Sequence, residues 1–314
     1  MQKPLVGISS CLLGENVRYD GGHKLDHYLH DTLGRYVEFV PVCPEVECGM
    51  GIPREAMRLV LAEGNIRLMT RKTQIDMTDR MKAWIDERLK VLAGLPLSGF
   101  IFKARSPSSG LRNIKVYTEK GVRNDGVGMF AQGVLEHFPQ LPVEDEGRLH
   151  DDWLRENFIE RIFVMHRWYQ LLEGGKSLKN LMDFHAGHKY LLMAHDPKTL
   201  KELGSLLAHG KGRPMNELYD TYLGSLSPAL QKIATVKKNT NVLMHIMGHF
   251  KKDLNADEKS EMKEIIERYY AGLVPLMVPI TLINHYVRKF RPEYVMNQVY
   301  LNPHPLELML RNHA

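Results

Sequence analysis

The residues best suited to chemistry lie at 41–54, where two thiols and a carboxylate follow an apolar run. Cys43 and Cys48 offer thiolates, which are soft metal ligands and nucleophiles. Glu45, two residues after the first thiol, can move a proton or accept hydrogen bonds. Taken alone, the stretch fits a buried thiol beside a surface acid equally well, so its chemistry depends on what the rest of the chain brings to it.

Two further segments carry chemistry-bearing side chains directly after apolar runs. Cys11 follows the first apolar run of the chain. Lys103, Arg105 and Ser106 lie where a later run ends in a Ser-rich turn. In open parallel sheets, ligands bind at the carboxyl ends of the strands. We therefore predict that these residues converge with Cys43 at one edge of a sheet.

The elements that would position these residues alternate between strand and helix. Strands are predicted at residues 4–10, 37–42, 98–104 and 141–143, a hairpin at 58–70, and helices at 24–34, 75–93 and 127–137. Cys43 and Glu45 are expected in a loop after the second strand, because Pro44 and Gly49 interrupt the run. This order predicts an α/β domain with a mainly parallel sheet.

After the acidic segment at 144–147, the pattern changes to amphipathic helices with almost no strand signal. Helices are predicted at residues 151–172, 177–194, 214–232, 241–252, 257–272 and 275–290. Several of them begin at Asp, Asn or Pro, which are common at helix starts. We therefore predict a domain boundary near residue 149, with an α/β domain at 1–148 and an all-α domain at 149–314.

The composition is typical of a globular protein, since 44% of the 314 residues are hydrophobic and 25% are charged. Three cysteines do not make a disulfide framework, which leaves them available for metal binding or catalysis in a reducing compartment. The sequence shows neither a secretory signal pattern nor the ~20 consecutive apolar residues that a membrane span needs. We predict a cytoplasmic protein with no membrane partner. The net charge of +5 is compatible with a polyanionic partner without requiring one.

Five stretches of the first half together resemble the thiouracil desulfidase family. They are SSCLLG at 9–14, RYDG at 18–21, CPEV at 43–46, GIPR at 51–54 and KARSPSSG at 103–110. The second half, through HAGHK at 185–189, TNVLMH at 240–245 and GHF at 248–250, resembles the all-helical domain often fused to that family. The two halves together resemble bacterial two-domain desulfidases that remove sulfur from 4-thiouridine in tRNA.

The resemblance implies a [4Fe-4S] cluster that is held by three cysteines, with one iron left open for the sulfur of the substrate. Cys11 and Cys43 match two of these ligand positions. The third position carries Ser109 in this chain, and serine is a harder and weaker iron ligand than a thiolate. We favour a substitution at the ligand position itself, with Cys48 as the alternative third ligand.

The resemblance also implies a non-redox reaction in which water replaces the sulfur on the pyrimidine. Glu45 is predicted to act as a general base or proton shuttle, and Ser106 to hydrogen-bond the pyrimidine edge or guide the water. Lys103 and Arg105 are predicted to balance the anionic cluster or to hold a phosphate. The alternative for both cations is a solvated strand end.

A tRNA partner requires a cationic surface on the helical half. The candidate residues for that surface are Lys189, Lys237, Lys238, Lys251, Lys252, Arg288 and Lys289. Such side chains can neutralise phosphates, and solvated helix ends explain the charges equally well without the resemblance.

The sequence leaves two other functions open. One is a desulfidase for free thiolated bases such as 2-thiouracil, in which the helical half serves assembly. The other is a non-catalytic iron–sulfur or RNA-binding regulator, which Ser109 makes harder to dismiss. His245 and His249 have the spacing of zinc ligands on a helix, but no third ligand accompanies them, so zinc is not predicted.

Overall fold

The computed structural model describes residues 2–312. The chain divides into two compact units between His150 and Asp151. All strands of the described residues lie in the first unit, and the second unit is helical. The predicted fold class, an α/β domain with a parallel sheet followed by an all-α domain, is therefore confirmed. None of the helices in the described residues is long and apolar enough to cross a membrane.

The first unit contains two four-stranded sheets. The strands are β1 (Leu5–Ser9), β2 (Glu38–Val42), β3 (Met57–Ala62), β4 (Asn65–Thr70), β5 (Leu97–Phe102), β6 (Ile114–Thr118), β7 (Gly121–Gly126) and β8 (Val143–Asp145). One sheet has the order β2-β1-β5-β8, and all of its pairs are parallel. The carboxyl ends of β1, β2 and β5 therefore meet at one edge, as the sequence predicts.

The second sheet is mixed and has the order β4-β3-β6-β7. Its two antiparallel hairpins, β3–β4 and β6–β7, are joined by a parallel pairing of β3 with β6. The first hairpin was predicted and the second was not. β7 has the sequence GVRNDG and is exposed at every position except the last, so it lacks the apolar alternation that identifies a strand.

Three helices belong to the first unit: α1 (Pro44–Glu47), α2 (Thr78–Ala93) and α3 (Met129–His137). β5 is buried at all of its positions, and its Phe100 and Phe102 rings stack with centroids 4.3 Å apart. Phe130 of α3 meets both rings edge-on, at 5.6 and 6.0 Å. Large aromatic side chains contribute most to such cores, so this cluster holds β5 and the turn after it in place.

Two of the predicted local structures are wrong in type. The helix predicted at residues 24–34 is a π-helical turn, Tyr28–Thr32, followed by a 3-10 turn, Leu33–Arg35. Only Leu29 and Leu33 are buried there, which is too short an apolar stripe for a full amphipathic helix. The loop predicted after β2 begins with the one-turn helix α1, whose first residue is a proline, a common arrangement at helix starts.

The second unit contains eight further helices. They are α4 (Asp152–Glu173), α5 (Leu178–His195), α6 (Pro197–Ala208), α7 (Met215–Gln231), α8 (Val236–His249), α9 (Ala256–Tyr270), α10 (Met277–Phe290) and α11 (Glu293–Met296). Side chains of Asp151, Ser177 and Asn255 cap α4, α5 and α9 by accepting from backbone N–H groups. α6 and α11 were not predicted, although Asp196 caps α6 in the same way.

Gly7, in the middle of β1, sets the spacing between β1 and β5. A Cβ at this position would overlap the ring of Phe100, which lies opposite it in the parallel pair. We expect Gly7→Ala to lower the free energy of unfolding of the first unit by about 1–3 kcal/mol, because overpacking forces side chains off their rotamers. Calorimetry of the full chain measures the effect. The control is Gly51→Ala, whose Cβ would meet only the Pro53 carbonyl, at 4.0 Å. Equal melting temperatures for the two variants would contradict this account.

Candidate active site

Cys11 lies in a 3-10 turn, Ser10–Leu13, that begins where β1 ends. Gly14 closes the turn with a φ of +90°, a conformation that glycine adopts without steric cost. The chain therefore turns directly after the strand. As a result, the Cys11 side chain stays at the carboxyl edge of the sheet, where the residue is 8% exposed.

Cys43 lies between β2 and α1 and is also buried. Ser9 of β1 lies opposite Val42 of β2 in the parallel pair, so Cys11 and Cys43 follow neighbouring strand ends. The Cys43 Sγ atom lies 3.8 Å from Glu45 Oε2. The one-turn helix α1 therefore brings the carboxylate back toward the thiol that precedes it.

The third part of the site is the Ser-rich turn after β5. Arg105 enters this turn with a φ of +62°, a left-handed conformation that costs a non-glycine residue about 1–2 kcal/mol. Ser106 Oγ then accepts hydrogen bonds from the N–H groups of Ser108, at 3.3 Å, and Ser109, at 3.2 Å. The turn is thereby fixed by side chain to backbone bonds, and Ser109 is buried.

A chain of hydroxyl groups joins this turn to Glu45. Ser108 Oγ donates to Glu45 Oε1 at 2.7 Å, and a further hydrogen bond of 2.9 Å links the hydroxyls of Ser106 and Ser108. Ser108 is fully buried, and sequence reasoning did not single it out. The signal was present in the Ser-Pro-Ser-Ser run, but the sequence alone does not show which of the three hydroxyls faces the carboxylate.

These segments surround one cavity of ≈ 400 Å³. The residues predicted from the sequence that line it are Cys11, Cys43, Glu45, Lys103, Arg105, Ser106 and Ser109. Arg18, Tyr19 and Arg54 line it as well, and none of these three was predicted. The structure therefore brings the candidate ligands and the candidate base around one space of the size that small-molecule sites commonly have.

Lys103 is engaged in structural contacts at this edge. Its Nζ forms an ion pair with Glu146 Oε1 and donates to the Ala104 carbonyl at 3.2 Å. The other oxygen of Glu146 accepts from the Ala104 N–H at 2.6 Å. Glu146 therefore holds the backbone where β5 ends, and its carboxylate neutralises part of the Lys103 charge.

Both thiols of the cavity are protonated at neutral pH when no metal ion is bound. Burial raises the pKa of Cys11 to about 11, and the charges of Lys103 and Arg18 oppose this rise. Burial also raises the pKa of Cys43 to about 12, and the Glu45 carboxylate adds to the shift. Coordination to a metal displaces such protons, because only the thiolate is a ligand.

Cys48 lies at the end of α1 and is not among the residues that line the cavity. Its thiol donates to the Glu45 carbonyl at 3.3 Å, and its side chain packs against the hydrophobic core. This geometry favours the Ser109 position over Cys48 as the third ligand position.

At the three ligand positions that the resemblance implies, the cavity offers two thiols and one hydroxyl. Across residues 2–312, no group of three or more His, Cys, Asp and Glu side chains is arranged to hold a metal ion. The third position that the resemblance implies offers the Ser109 oxygen beside Cys11 and Cys43. Thiolates suit iron–sulfur clusters, whereas a serine oxygen binds iron more weakly. The site thus fits a cluster that is held by two sulfur ligands and one oxygen ligand.

The cations predicted to bind RNA differ in their surroundings. Those that are exposed and form no ion pair in the described part of the chain are Lys189, Lys237, Lys251, Lys252 and Arg288. Lys238 donates to the His195 carbonyl at 2.6 Å, and Lys289 forms an ion pair with Glu258 at 2.8 Å. The last two cations are therefore partly committed to contacts within the helical unit.

Family models match both halves of the chain. Residues 6–146 match the model described as 2-thiouracil desulfurase, and this segment contains every residue that lines the cavity. Residues 189–305 match the model described as a protein of unknown function, DUF1722.

Individual relatives each cover about half of the chain. The protein YbgA of Escherichia coli (strain K12) is 28% identical over 158 residues, which are 50% of this chain and 94% of that protein. The protein YbbK of Bacillus subtilis (strain 168) is 26% identical over 133 residues, 40% of this chain and 87% of that protein. A solved structure titled [4Fe-4S]-dependent thiouracil desulfidase TudS is 28% identical, with a TM-score of 0.39 over 48% of this chain and 95% of that one.

The family matches and the geometry concern the same residues. The buried thiols, the carboxylate and the Ser-rich turn all lie in the first matched segment, and all five of the exposed candidate cations without ion pairs lie in the second. The chain therefore has two segments that are similar to known families, residues 6–146 to the 2-thiouracil desulfurase model and residues 189–305 to the DUF1722 model.

Proposed function

We propose that this chain removes sulfur from 4-thiouridine in tRNA and leaves uridine. The observation that supports this function is the convergence of two buried thiols, a third donor and a carboxylate on one cavity, inside the segment that matches the 2-thiouracil desulfurase model. Removal of sulfur from a pyrimidine needs a soft acceptor for the sulfur and a base for the attacking water. The cavity offers candidates for both tasks.

The donor set leads us to propose a [4Fe-4S] cluster as the cofactor. Cys11 and Cys43 would hold it, with the Ser109 oxygen at the third position. When bound, such a cluster supplies an open iron that acts as a Lewis acid and accepts the departing sulfur. Arg18 and Lys103, whose charges act on the Cys11 thiol, would offset the negative charge of the thiolate ligands.

The proposed reaction is a hydrolysis, so it needs neither an oxidant nor a reductant. Water forms a C–O bond at the ring carbon that carries sulfur, the C–S bond breaks, and the sulfur leaves as hydrogen sulfide. Glu45 takes a proton from the attacking water and delivers it to the departing sulfur. Its Oε2 atom is the oxygen on the side of Cys43 Sγ, so that the base lies next to the place where sulfur would leave.

The hydroxyl chain positions Glu45 for this task. Ser108 Oγ donates to Oε1, which keeps that oxygen occupied and leaves Oε2 for the water. Arg54 Nη2 lies 3.9 Å from Oε2, so a cation faces the same oxygen. Ser106 lines the cavity and reaches Glu45 through Ser108, so it can orient the water or the pyrimidine while Ser108 orients the base.

The tRNA part of the proposal depends on the helical unit. α8 and the residues that flank it, 233–252, contain four lysines and two histidines but neither Asp nor Glu. Lys237, Lys251 and Lys252 are exposed there. A segment without carboxylates and with unpaired lysines is suited to phosphates, whose neutralisation supplies most of the affinity of RNA for proteins.

The variant Ser109→Cys tests the proposed cofactor site. We expect anaerobic reconstitution to load this variant with more iron and sulfide than the parent, toward four of each per chain, because a thiolate replaces a weaker oxygen ligand in a turn that is already formed. The matched control is Cys48→Ser, which removes the one thiol outside the cavity and should leave the iron content unchanged. If Cys48→Ser loses iron and Ser109→Cys gains no iron, Cys48 is the third ligand instead.

The variant Glu45→Gln tests the proposed base, in the background that binds most iron. We expect it to keep its iron but to lose ~10²–10⁴-fold in turnover, which is the usual contribution of general acid–base catalysis. Glu47→Gln is the control, since Glu47 lies in the same turn of helix but outside the lining of the cavity. Loss of iron together with activity in Glu45→Gln would show that the carboxylate has a structural role.

A variant in which the exposed lysines Lys237, Lys251 and Lys252 are changed to Glu tests whether the substrate is tRNA or a free thiolated base. Each phosphate contact that is lost should lower the salt slope of tRNA binding by about one. We expect weaker tRNA binding with a shallower salt slope, and little change in sulfur removal from free 4-thiouracil. Affinity at several salt concentrations and both activities are the measurements.

The control for charge reversal is a variant with Lys198, Lys201 and Lys263 changed to Glu. These exposed lysines lie on α6 and α9, so the variant has the same change in net charge on other helices. Equal loss of affinity in both triple variants would mean that only the net charge matters. If the parent chain is fully active on the free base but does not bind tRNA, the alternative function, a desulfidase of free thiolated bases, is favoured.

A further inference from the structure

The helical unit carries an exposed pair of stacked rings on a surface that the proposed function does not yet use. The His249 ring, at the end of α8, stacks on the Tyr294 ring of α11, with centroids 5.3 Å apart and an interplanar angle of 23°. Both residues are exposed, and Tyr294 keeps 38% of its surface accessible. Large aromatic surface is normally buried, so an exposed and ordered ring pair points to a ligand with a flat face.

Buried neighbours hold the two rings in place. A hydrogen bond of 2.7 Å joins His249 Nε2 to the hydroxyl of Tyr190, a buried residue of α5. The Tyr190 ring also meets the Tyr294 ring edge-on at 6.2 Å. Gln298 donates to the carbonyls of both Ala186 and Tyr294, at 2.9 and 3.3 Å, and so ties the end of α11 to α5. The ring pair is therefore preorganised, which lowers the entropic cost of binding a ligand.

One lysine lies beside the rings. Lys189 Nζ lies 5.9 Å from the centroid of the Tyr294 ring and forms no ion pair in the described residues. Burial, Lys189 and His245 lower the pKa of His249, so its ring is a neutral imidazole at neutral pH and leaves the cationic role to Lys189. Flat faces beside an uncompensated cation match a nucleobase and its phosphate.

The backbone next to the rings is accessible as well. Gly248 precedes His249, and a Cβ built on Gly248 would have no atom within 4 Å. A glycine in a helix is less favourable than alanine, and nothing in the packing of this unit requires one here. The open space beside Gly248 leaves room for a sugar–phosphate backbone to approach α8 closely.

We propose that the His249–Tyr294 ring pair is a stacking site for an unpaired nucleobase of the bound RNA, with Lys189 placed for the adjacent phosphate. This inference rests on the proposed function, because it assumes that the helical unit binds RNA. It adds a recognition element of a different kind from the lysines. Phosphate contacts are the same along any RNA, whereas stacking selects a nucleotide whose base is not already paired.

The test uses the full chain, with unmodified tRNA and a short oligouridylate as probes. We expect Tyr294→Ala to weaken the binding of both RNAs roughly 5- to 100-fold, as removal of one stacked base contact does. The salt slope should stay unchanged, because no phosphate contact is lost. Tyr294→Phe keeps the ring and should bind like the parent. The matched control is Tyr270→Ala, which removes a tyrosine of α9 that is 58% exposed and stacks on no ring in residues 2–312.

A second variant guards against an effect of Tyr294→Ala on folding. His249→Ala removes the other ring, so it should lower RNA affinity as well. Because it also removes the partner of the Tyr190 hydroxyl, circular dichroism at the assay temperature checks that the variant is folded. RNA affinities equal to the parent in both alanine variants would overturn the stacking site and leave the proposed function standing. Loss of affinity in Tyr270→Ala as large as in Tyr294→Ala would overturn it too.

The two probes separate failure of this site from failure of the proposed function. A parent chain that binds oligouridylate through Tyr294 but does not bind tRNA would support the stacking site and contradict the tRNA substrate. A parent chain that binds neither probe would overturn both.

Discussion

The parallel pairing of β1 with β2 and β5 is the constraint on which the site depends. Because the three strands run in the same direction, their carboxyl ends deliver Cys11, Cys43 and the Ser-rich turn to one edge. The close approach of β1 to Phe100 requires glycine at position 7. The aromatic cluster behind β5 then fixes where the turn begins. The positions of the candidate site residues at this edge are thus set by packing inside the core.

This part of the structure could be predicted because it follows from short-range patterns. Apolar runs identified the strands of the parallel sheet, and their alternation with predicted helices indicated the direction of pairing. The hairpin β6–β7 could not be found in that way, since β7 is stabilised by its partner strand and carries almost no apolar residue. The turns at 28–35 were predicted as a helix. Only two leucines are buried there, and they do not form the periodic apolar stripe of a full helix.

Charges show the limit of sequence reasoning most clearly. Lys103 was predicted to balance the cluster or to hold a phosphate, yet its ion pair is with Glu146, a residue distant in the sequence and near in the fold. Lys238 and Lys289 were candidates for RNA contacts, and both have partners within the helical unit. A sequence shows where charges are but not which of them the fold has already compensated. The unpaired cations, rather than their total number, define a surface that can bind a polyanion.

The third ligand position shows how chemistry can change while the fold stays the same. The turn after β5 is held by hydrogen bonds from the backbone N–H groups of Ser108 and Ser109 to the hydroxyl of Ser106. None of these bonds uses the side chain of Ser109. A residue of similar size at 109 can therefore exchange sulfur for oxygen without removing a bond that holds the turn. Ser109 Oγ also lies 3.3 Å from Ser108 Oγ, so the exchange does reach the hydroxyl chain to Glu45. The hydroxyl and backbone groups that build this turn are therefore distinct from the Ser109 oxygen, which in the proposed site would be the weak ligand to iron.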